Sequence, residues 1–318
     1  MLTILNFAAG SGVSGVFVRF NAARPQVPVR APLLERMLAR SDTHDCADWR
    51  GEAYRGLVPE ASGTPAVAPI AAAGDSVEAV GRSVFIASPL HCVAGMTNVR
   101  LAMDGRIRLD PGEAAEWSRG FNETFGSEGV RLVAGRSGTL YCVFDREVIA
   151  DTHDPDEFLG RDVFEFLPRG RDAAVLRRLM SEIEMWLFQR AAGRARGQDG
   201  RLSATGLWLW GGGAVQAGVP PLDGWTAGLD PLWSAWRGLD AFPADPGSRS
   251  GIVVLAEVPG TEPWRSVEAQ WLVPALAALR AGRINRLELS AAHRGFRLGT
   301  RTYWRLWRRL RPWWEYFE

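Results

Sequence analysis

Lysine is missing altogether, since all 37 basic residues are arginine. That excludes a Schiff-base lysine, a pyridoxal-phosphate lysine and a P-loop lysine. Cysteine is scarce: Cys46, Cys92 and Cys142 lie far apart with no CxxC pair. Their number and spacing point away from a disulfide framework and from a structural zinc site, and towards a reducing compartment. Charge of either sign is not in excess. With 36 acidic residues and a net charge of +1, no global field draws nucleic acid or an anionic membrane surface. No run of about 18 apolar residues exists, so no transmembrane helix is expected. The opening MLTILNFAAGSGVSGVFVRF lacks the basic and continuous apolar regions of a signal peptide. The expectation is a cytoplasmic protein with no nucleic-acid partner and no membrane span; the oligomeric state is not legible.

What is present is ordinary globular composition, 47% hydrophobic and 23% charged over 318 residues. That length suits one large domain or two lobes, placed at 1–165 and 166–318. LTILNF reads as a strand, and APLLERMLARSD as a helix from its apolar spacing. The Ala-, Pro- and Gly-rich stretch from Gly51 to Gly81 reads as loop or loose helix. SVFIASPLH is a buried strand broken at Ser88-Pro89, followed by a short strand in GRIRLD. DPGEAAEWSRGFNETFG is a helix capped by Asp110, with Pro111 at its first position. VRLVAG and GTLYCVFD alternate like a hairpin. RDAAVLRRLMSEIEMWLFQR is the clearest helix, with Asp172 at its start and one apolar face. GLWLW is apolar on both sides, which predicts a central strand. GIVVLAEV is another buried strand, and PWRSVEAQWLVPALAALRAG is a helix interrupted at Pro274. RLELSA and RGFRLG pair as a hairpin, and TRTYWRLWRRL closes the chain as a short helix. Strands and helices in this mixture predict an α/β protein with a mixed sheet flanked by helices.

Four features invite functional readings. Gly211, Gly212 and Gly213 follow the GLWLW strand. They read either as a phosphate-facing loop or as a bend where a Cβ would clash, and the poor helix after them favours the bend. Four histidines are present: His44 among Asp42, Asp45 and Asp48; His91 in a turn; His153 among Asp151, Asp154 and Asp156; and His293 alone. Aspartate-rich segments of this kind are more often turns than metal sites. No GxSxG elbow is present, and adjacent His91 and Cys92 point to opposite faces of a strand, so nucleophilic catalysis has little support. The C-terminal Trp304, Trp307 and Leu310, among arginines, favour a closing helix packed on the body over a membrane or nucleic-acid surface.

Several segments, taken in order over most of the chain, resemble the RpfE-type regulatory proteins of proteobacteria. They are LLERMLARSD, ASPLHCVAGMTNVRL, SEIEMWLF followed by GLWLWGGG, LVPALAALRAGRINRLELSA and TYWRLWRR. That family is distantly similar to cofactor-independent archaeal-type phosphoglycerate mutases. The resemblance implies an alkaline-phosphatase-like fold, here degenerate, and a phosphorylated small-molecule ligand. The chain departs from the pattern at polar positions. Arg190, Ala191, Ala192 and Gly193 stand where the family has His-Pro-Val-Asn, Thr205 where it has Asn, and Ser88 where it has Asp; Pro89, His91, Arg196 and Gly200 are kept. The resemblance therefore implies a non-catalytic regulatory relic of a phosphomutase-like scaffold. Its anionic ligand would sit near His91, Arg190, Arg194, Arg196 and Gly211 to Gly213, and no cofactor is expected. The alternative is a metal-dependent phosphoglycerate mutase-like phosphotransferase, with a divalent metal on His153, Asp151 and Asp154.

Overall fold

The segment GVFVRF, which no pattern had singled out, forms the strand at the heart of the larger sheet in the computed structural model. The structure describes residues 15–20, 29–46, 48–58, 65–189, 202–216, 218–228, 230–236, 238–244, 250–255, 261–291 and 294–316. The LTILNF strand, His293, Arg190, Arg194 and Arg196 lie outside them.

The chain divides into two compact units, one built from segments 1–65 and 220–318, the other from 66–219. The lobe boundary expected at 165/166 falls inside the second unit. The reason is strand pairing that ignores chain order: residues after 165 return to complete the second unit, and the first segment pairs with the last.

In the first unit, β1 (Gly15–Phe20) pairs in parallel with β9 (Ser250–Leu255) on one side and β10 (Arg286–Ala291) on the other. β8 (Gly224–Gly228) extends the parallel set beyond β9. β11 (Arg294–Gly299) and β2 (Asp42–Asp45) add antiparallel to the far edge, giving the order β2-β11-β10-β1-β9-β8. Val16, Val18 and Phe20 of β1, with Leu287, Leu289 and Ala291 of β10, point into one hydrophobic core. α1 (Pro32–Arg40) packs there, as does a long helix formed by α6 (Thr261–Val267), a π-helical turn at Glu268–Leu272 and α7 (Val273–Arg280). The π turn immediately precedes Pro274, whose missing N–H forbids regular pairing one turn back. Glu268, in that turn, accepts from the amides of Leu33 and Leu34 at 2.9 and 3.0 Å. It thus caps α1, whose own N-cap position is Ala31.

The second unit holds an antiparallel sheet in the order β4-β3-β6-β5, with β7 paired to β3. Its strands are β3 (Ser83–Ala94), β4 (Val99–Arg106), β5 (Val130–Ala134), β6 (Leu140–Phe144) and β7 (Gly206–Ala214). α4 (Pro111–Phe125) packs on β5, while α3 (Val67–Gly74) and α5 (Ala173–Gln189) pack on β7. The molecule is thus mixed α/β, with two sheets flanked by helices.

Several local expectations needed correction. β3 runs straight through Pro89, because Pro89 sits between the stretch paired with β6, ending at Ile86, and the stretch paired with β4, starting at Leu90. Pro89 pairs with Leu207 of β7 and its carbonyl accepts from Ile107 N–H, but neither ladder on its β4/β6 edge includes Pro89 itself, so the missing N–H is tolerated. The strand expected in GRIRLD lies earlier, as β4. The Gly51–Gly81 stretch contains α2 (Trp49–Leu57) and α3; Asp48 starts α2 by accepting from Gly51 N–H at 3.1 Å. Among the described residues β7 pairs only with β3, and its apolar character reflects the helices packed on it rather than a central position. The closing helix is absent: only 3-10 turns form, at Thr302–Trp304 and Trp313–Tyr316. Trp304, Trp307 and Leu310 are exposed, whereas Trp313 and Trp314 are buried. Among the described residues no helix is long and apolar enough to cross a membrane.

Candidate functional site

Strand alternation puts a polar layer on the face of the six-stranded sheet opposite its core. Arg19 lies beside Ser290, Glu288 beside Arg297, and Gly295 beside His44. Glu288 and Ser290 are 1% and 0% exposed, deeper than such side chains sit without partners. Arg19 Nη1 donates to Ser290 Oγ at 3.1 Å, and Arg297 Nε donates to Glu288 Oε2 at 3.2 Å. His44 Nε2 stands 2.8 Å from Glu288 Oε1. That contact is an ion pair when the imidazole is protonated, and both atoms are buried with no hydrogen-bond partner. Gly295 gives the imidazole its room, since a Cβ there would lie 2.3 Å from Nε2.

The segment after β2 carries the rest of the layer. Cys46 follows the strand directly, and α2 brings Glu52 in its first turn. Trp49 fixes the start of α2 by stacking on Phe17, with Arg19 and Arg50 against its ring. Arg50 is held in turn by two bonds to Asp230 Oδ2, at 3.0 and 2.6 Å. As a result, one donor atom each from His44, Cys46 and Glu52 falls within 4.8 Å of the others. Cys46 Sγ is 4.0 Å from Glu52 Oε2. Burial, then the charges of Glu52 and Glu288, push the Cys46 thiol up to about 12. At neutral pH it is therefore a thiol, not a thiolate nucleophile. Burial is also the main cause raising Glu52, and burial followed by neighbouring Arg297 lowers Arg286.

The residues singled out by sequence are placed differently. His91 lies on β3, where its Nδ1 is 2.7 Å from the Ser203 carbonyl oxygen. The glycines lie towards the other end of β7: Leu90 pairs with Gly206 and Val84 with Gly213. Six or so residues of strand separate them, roughly 20 Å, so the structure does not gather His91 and the glycine run into one site. Gly211 and Gly212 together oppose one β3 residue between Val84 and Ile86, a bulge. A Cβ on Gly212 would lie 2.0 Å from the Phe85 ring, and one on Gly213 2.6 Å from Ala66 Cβ. Gly211 has φ +65, and its N–H donates to Thr152 Oγ1 at 3.0 Å. The run is thus a packed bend. A nearby cavity of about 390 Å³ is lined by Pro69, Ala72, Val84 and similar residues and has no cationic side chain for a phosphate.

The alternative metal set does not assemble either. His153 is paired to Glu157 at 2.9 Å, Asp154 caps its own 3-10 turn, and Asp151 bridges by backbone to Arg169. Among the described residues the His44, Cys46 and Glu52 group is the one with three convergent donors. Sequence reasoning had grouped His44 with Asp42, Asp45 and Asp48, its neighbours in the chain. In the structure Asp48 caps α2 and Asp42 pairs with Arg305. A usable signal was Glu288, a carboxylate in the middle of the apolar strand RLELSA. A second was the position of Glu52 one turn into a helix starting just after Cys46.

No protein-family model matches this chain, and no curated protein does. Two solved structures are similar in arrangement. A cofactor-independent phosphoglycerate mutase from Thermoplasma acidophilum DSM 1728 aligns over 90% of this chain and 89% of its own, with a TM-score of 0.32 and 14% identity. The PH0037 protein of Pyrococcus horikoshii aligns over 90% and 87%, with a TM-score of 0.33 and 9% identity.

Proposed function

We propose that the protein is a non-catalytic regulatory member of the RpfE-type lineage that binds a phosphorylated small molecule on a scaffold that has lost its reactive groups. One observation carries this reading: Ser88 and Thr205, the described polar side chains at positions that depart from the family pattern, are used to hold strands together. Ser88 Oγ accepts from Trp210 Nε1 at 2.9 Å. Thr205 Oγ1 accepts from Cys92 N–H at 2.9 Å and donates to the Leu90 carbonyl at 3.1 Å. Each spends its hydrogen-bonding capacity on structure, leaving little for a substrate.

The cysteines add support. Cys142 is fully buried with its thiol pushed up by burial, and Cys92 is raised by the same cause. Two-metal phosphoryl transfer needs several Asp and His ligands around an alkoxide. The described residues bring one imidazole into one donor group, so they do not fit that chemistry. The ligand seat we favour is the segment carrying Arg190, Arg194 and Arg196, where guanidinium forks suit phosphate oxygens.

The test is a thermal-shift series with inorganic phosphate and 3-phosphoglycerate. A ligand at a hundred times its Kd stabilises by about 2.7 kcal/mol, and Arg194→Ala with Arg196→Ala is expected to abolish the shift. Interconversion of phosphoglycerates by the purified chain with added Mn²⁺ would overturn the non-catalytic reading. No shift with any phosphorylated compound would overturn the ligand.

A further inference from the structure

We infer that His44, Cys46, Glu52 and Glu288 form a closed binding site for one divalent transition metal of the zinc class, which ties α2 and the edge strand β2 to β10. The proposal does not depend on the phosphorylated ligand proposed above. It rests on two separate observations.

The first is convergence. The four residues come from β2, the link after it, α2 and β10; donor atoms of His44, Cys46 and Glu52 lie within 4.8 Å of one another, and Glu288 joins them through its contact with His44. Ligands on a tetrahedral zinc ion lie about 2.0–2.3 Å from the metal and hence about 3.3–3.8 Å apart. The Cys46–Glu52 separation of 4.0 Å and the His44–Glu288 separation of 2.8 Å bracket that range.

The second is the state of His44 Nε2 and Glu288 Oε1. They face each other at close range, buried, with no hydrogen bond on either atom. An unsatisfied buried carboxylate oxygen is costly. A cation bound to both atoms satisfies both at once. The other oxygen of Glu288 is already held by Arg297, the kind of outer contact that aims a ligand at its metal.

The donor set selects the ion. One sulfur, one imidazole nitrogen and two carboxylates suit zinc and similar borderline ions; calcium and magnesium prefer oxygen alone. A divalent ion with a thiolate and two carboxylates carries one net negative charge, and Arg19 and Arg297 on the same face offset it. With four protein donors the site is structural rather than catalytic. The His44 side chain is 22% exposed, and this is the side by which the ion enters. Cysteine spacing had pointed away from zinc because such patterns look for paired cysteines, and this set has one.

The experiment is titration of the chelator-treated full chain with Co²⁺, read by optical absorption, followed by displacement with Zn²⁺. The expected result is one equivalent bound, a thiolate-to-cobalt charge-transfer band, loss of that band on zinc addition, and a higher melting temperature with zinc. Cys46→Ser is expected to lose the band while Cys92→Ser keeps it. His44→Gln, at a partly exposed position, is expected to weaken zinc binding at least about tenfold and serves if Cys46→Ser does not fold. A folded wild-type chain showing neither band nor thermal shift overturns the proposal. So does a band that survives in Cys46→Ser, or unchanged zinc affinity in His44→Gln.

Discussion

At position 212 the chain has no space for a methyl group. Gly212→Ala is expected to cost about 1–3 kcal/mol in urea denaturation, because the added carbon must displace the buried Phe85 ring. A change within about 0.5 kcal/mol, the usual effect of a surface substitution, would show the bulge to be soft. Arg50 tells the complementary story. Its guanidinium is nearly buried and holds Asp230, which also accepts from Leu232 and Trp233 N–H. Arg50→Ala leaves that carboxylate buried without its counter-ion and is expected to cost about 3–5 kcal/mol. Equilibrium unfolding of the single variant beside an Arg50→Ala, Asp230→Asn double variant checks it, the double recovering part of the loss. At this scale the sequence was informative about apolar positions and poor about polar ones. A glycine beside tryptophans already suggested close packing. Nothing local announced that Glu288 and His44, some 240 residues apart, would meet.

Helix ends are the best-read elements. Asp110 and Pro111 predicted the start of α4, and the capping box formed with Glu113 realises it, with bonds of 2.9 and 3.1 Å. Asp110→Ala is expected to lose about 1 kcal/mol, measurable as a shifted denaturation midpoint. Asp172 makes a pH prediction. The Ile149 N–H, then Arg171, hold its carboxyl below the usual aspartate value. A carboxyl lowered by folding adds stability above its unfolded value, which is lost as pH falls through the folded one. Asp172→Asn is therefore expected to flatten the acid limb of a stability-versus-pH curve below about pH 4 and to lower stability at neutral pH. An acid limb unchanged in the variant would sink that assignment. Elements were misread where distant contacts decide. The Thr300–Leu310 segment has helical spacing, but a helix of about three turns is marginal alone. Its arginines find better partners elsewhere, Arg308 donating to the Ser41 carbonyl at 2.9 Å and Arg305 pairing with Asp42. β1 escaped notice because six residues between a Gly- and Ser-rich stretch and a Pro-containing one carry too little periodicity to be distinguished from loop.

The whole molecule is one unit of chain, 66–219, interrupting another. The second unit has its own sheet, its own helices and a continuous sequence. We expect a 66–219 fragment to fold alone, with dispersed amide signals and a cooperative melt; a fragment that stays unfolded would mean the division is geometric only. The expected boundary at 165/166 came from chain length, and length does not say which strands pair across a dividing point. The α/β mixture followed from element types, but strand order depended on pairings such as Val16 with Gly251, which no local pattern encodes.

The position of β1 has a consequence for the growing polypeptide on the ribosome. Both of its lateral neighbours are made more than 200 residues later, so a nascent chain carries an apolar, unpartnered edge through most of translation. The interrupting portion can close as soon as its own last strand emerges. A chaperone that shields exposed strands would find its substrate in Gly15–Phe20 until Ser250–Leu255 and Arg286–Ala291 have emerged, and depleting it should reduce soluble yield of the full chain far more than that of the 66–219 fragment.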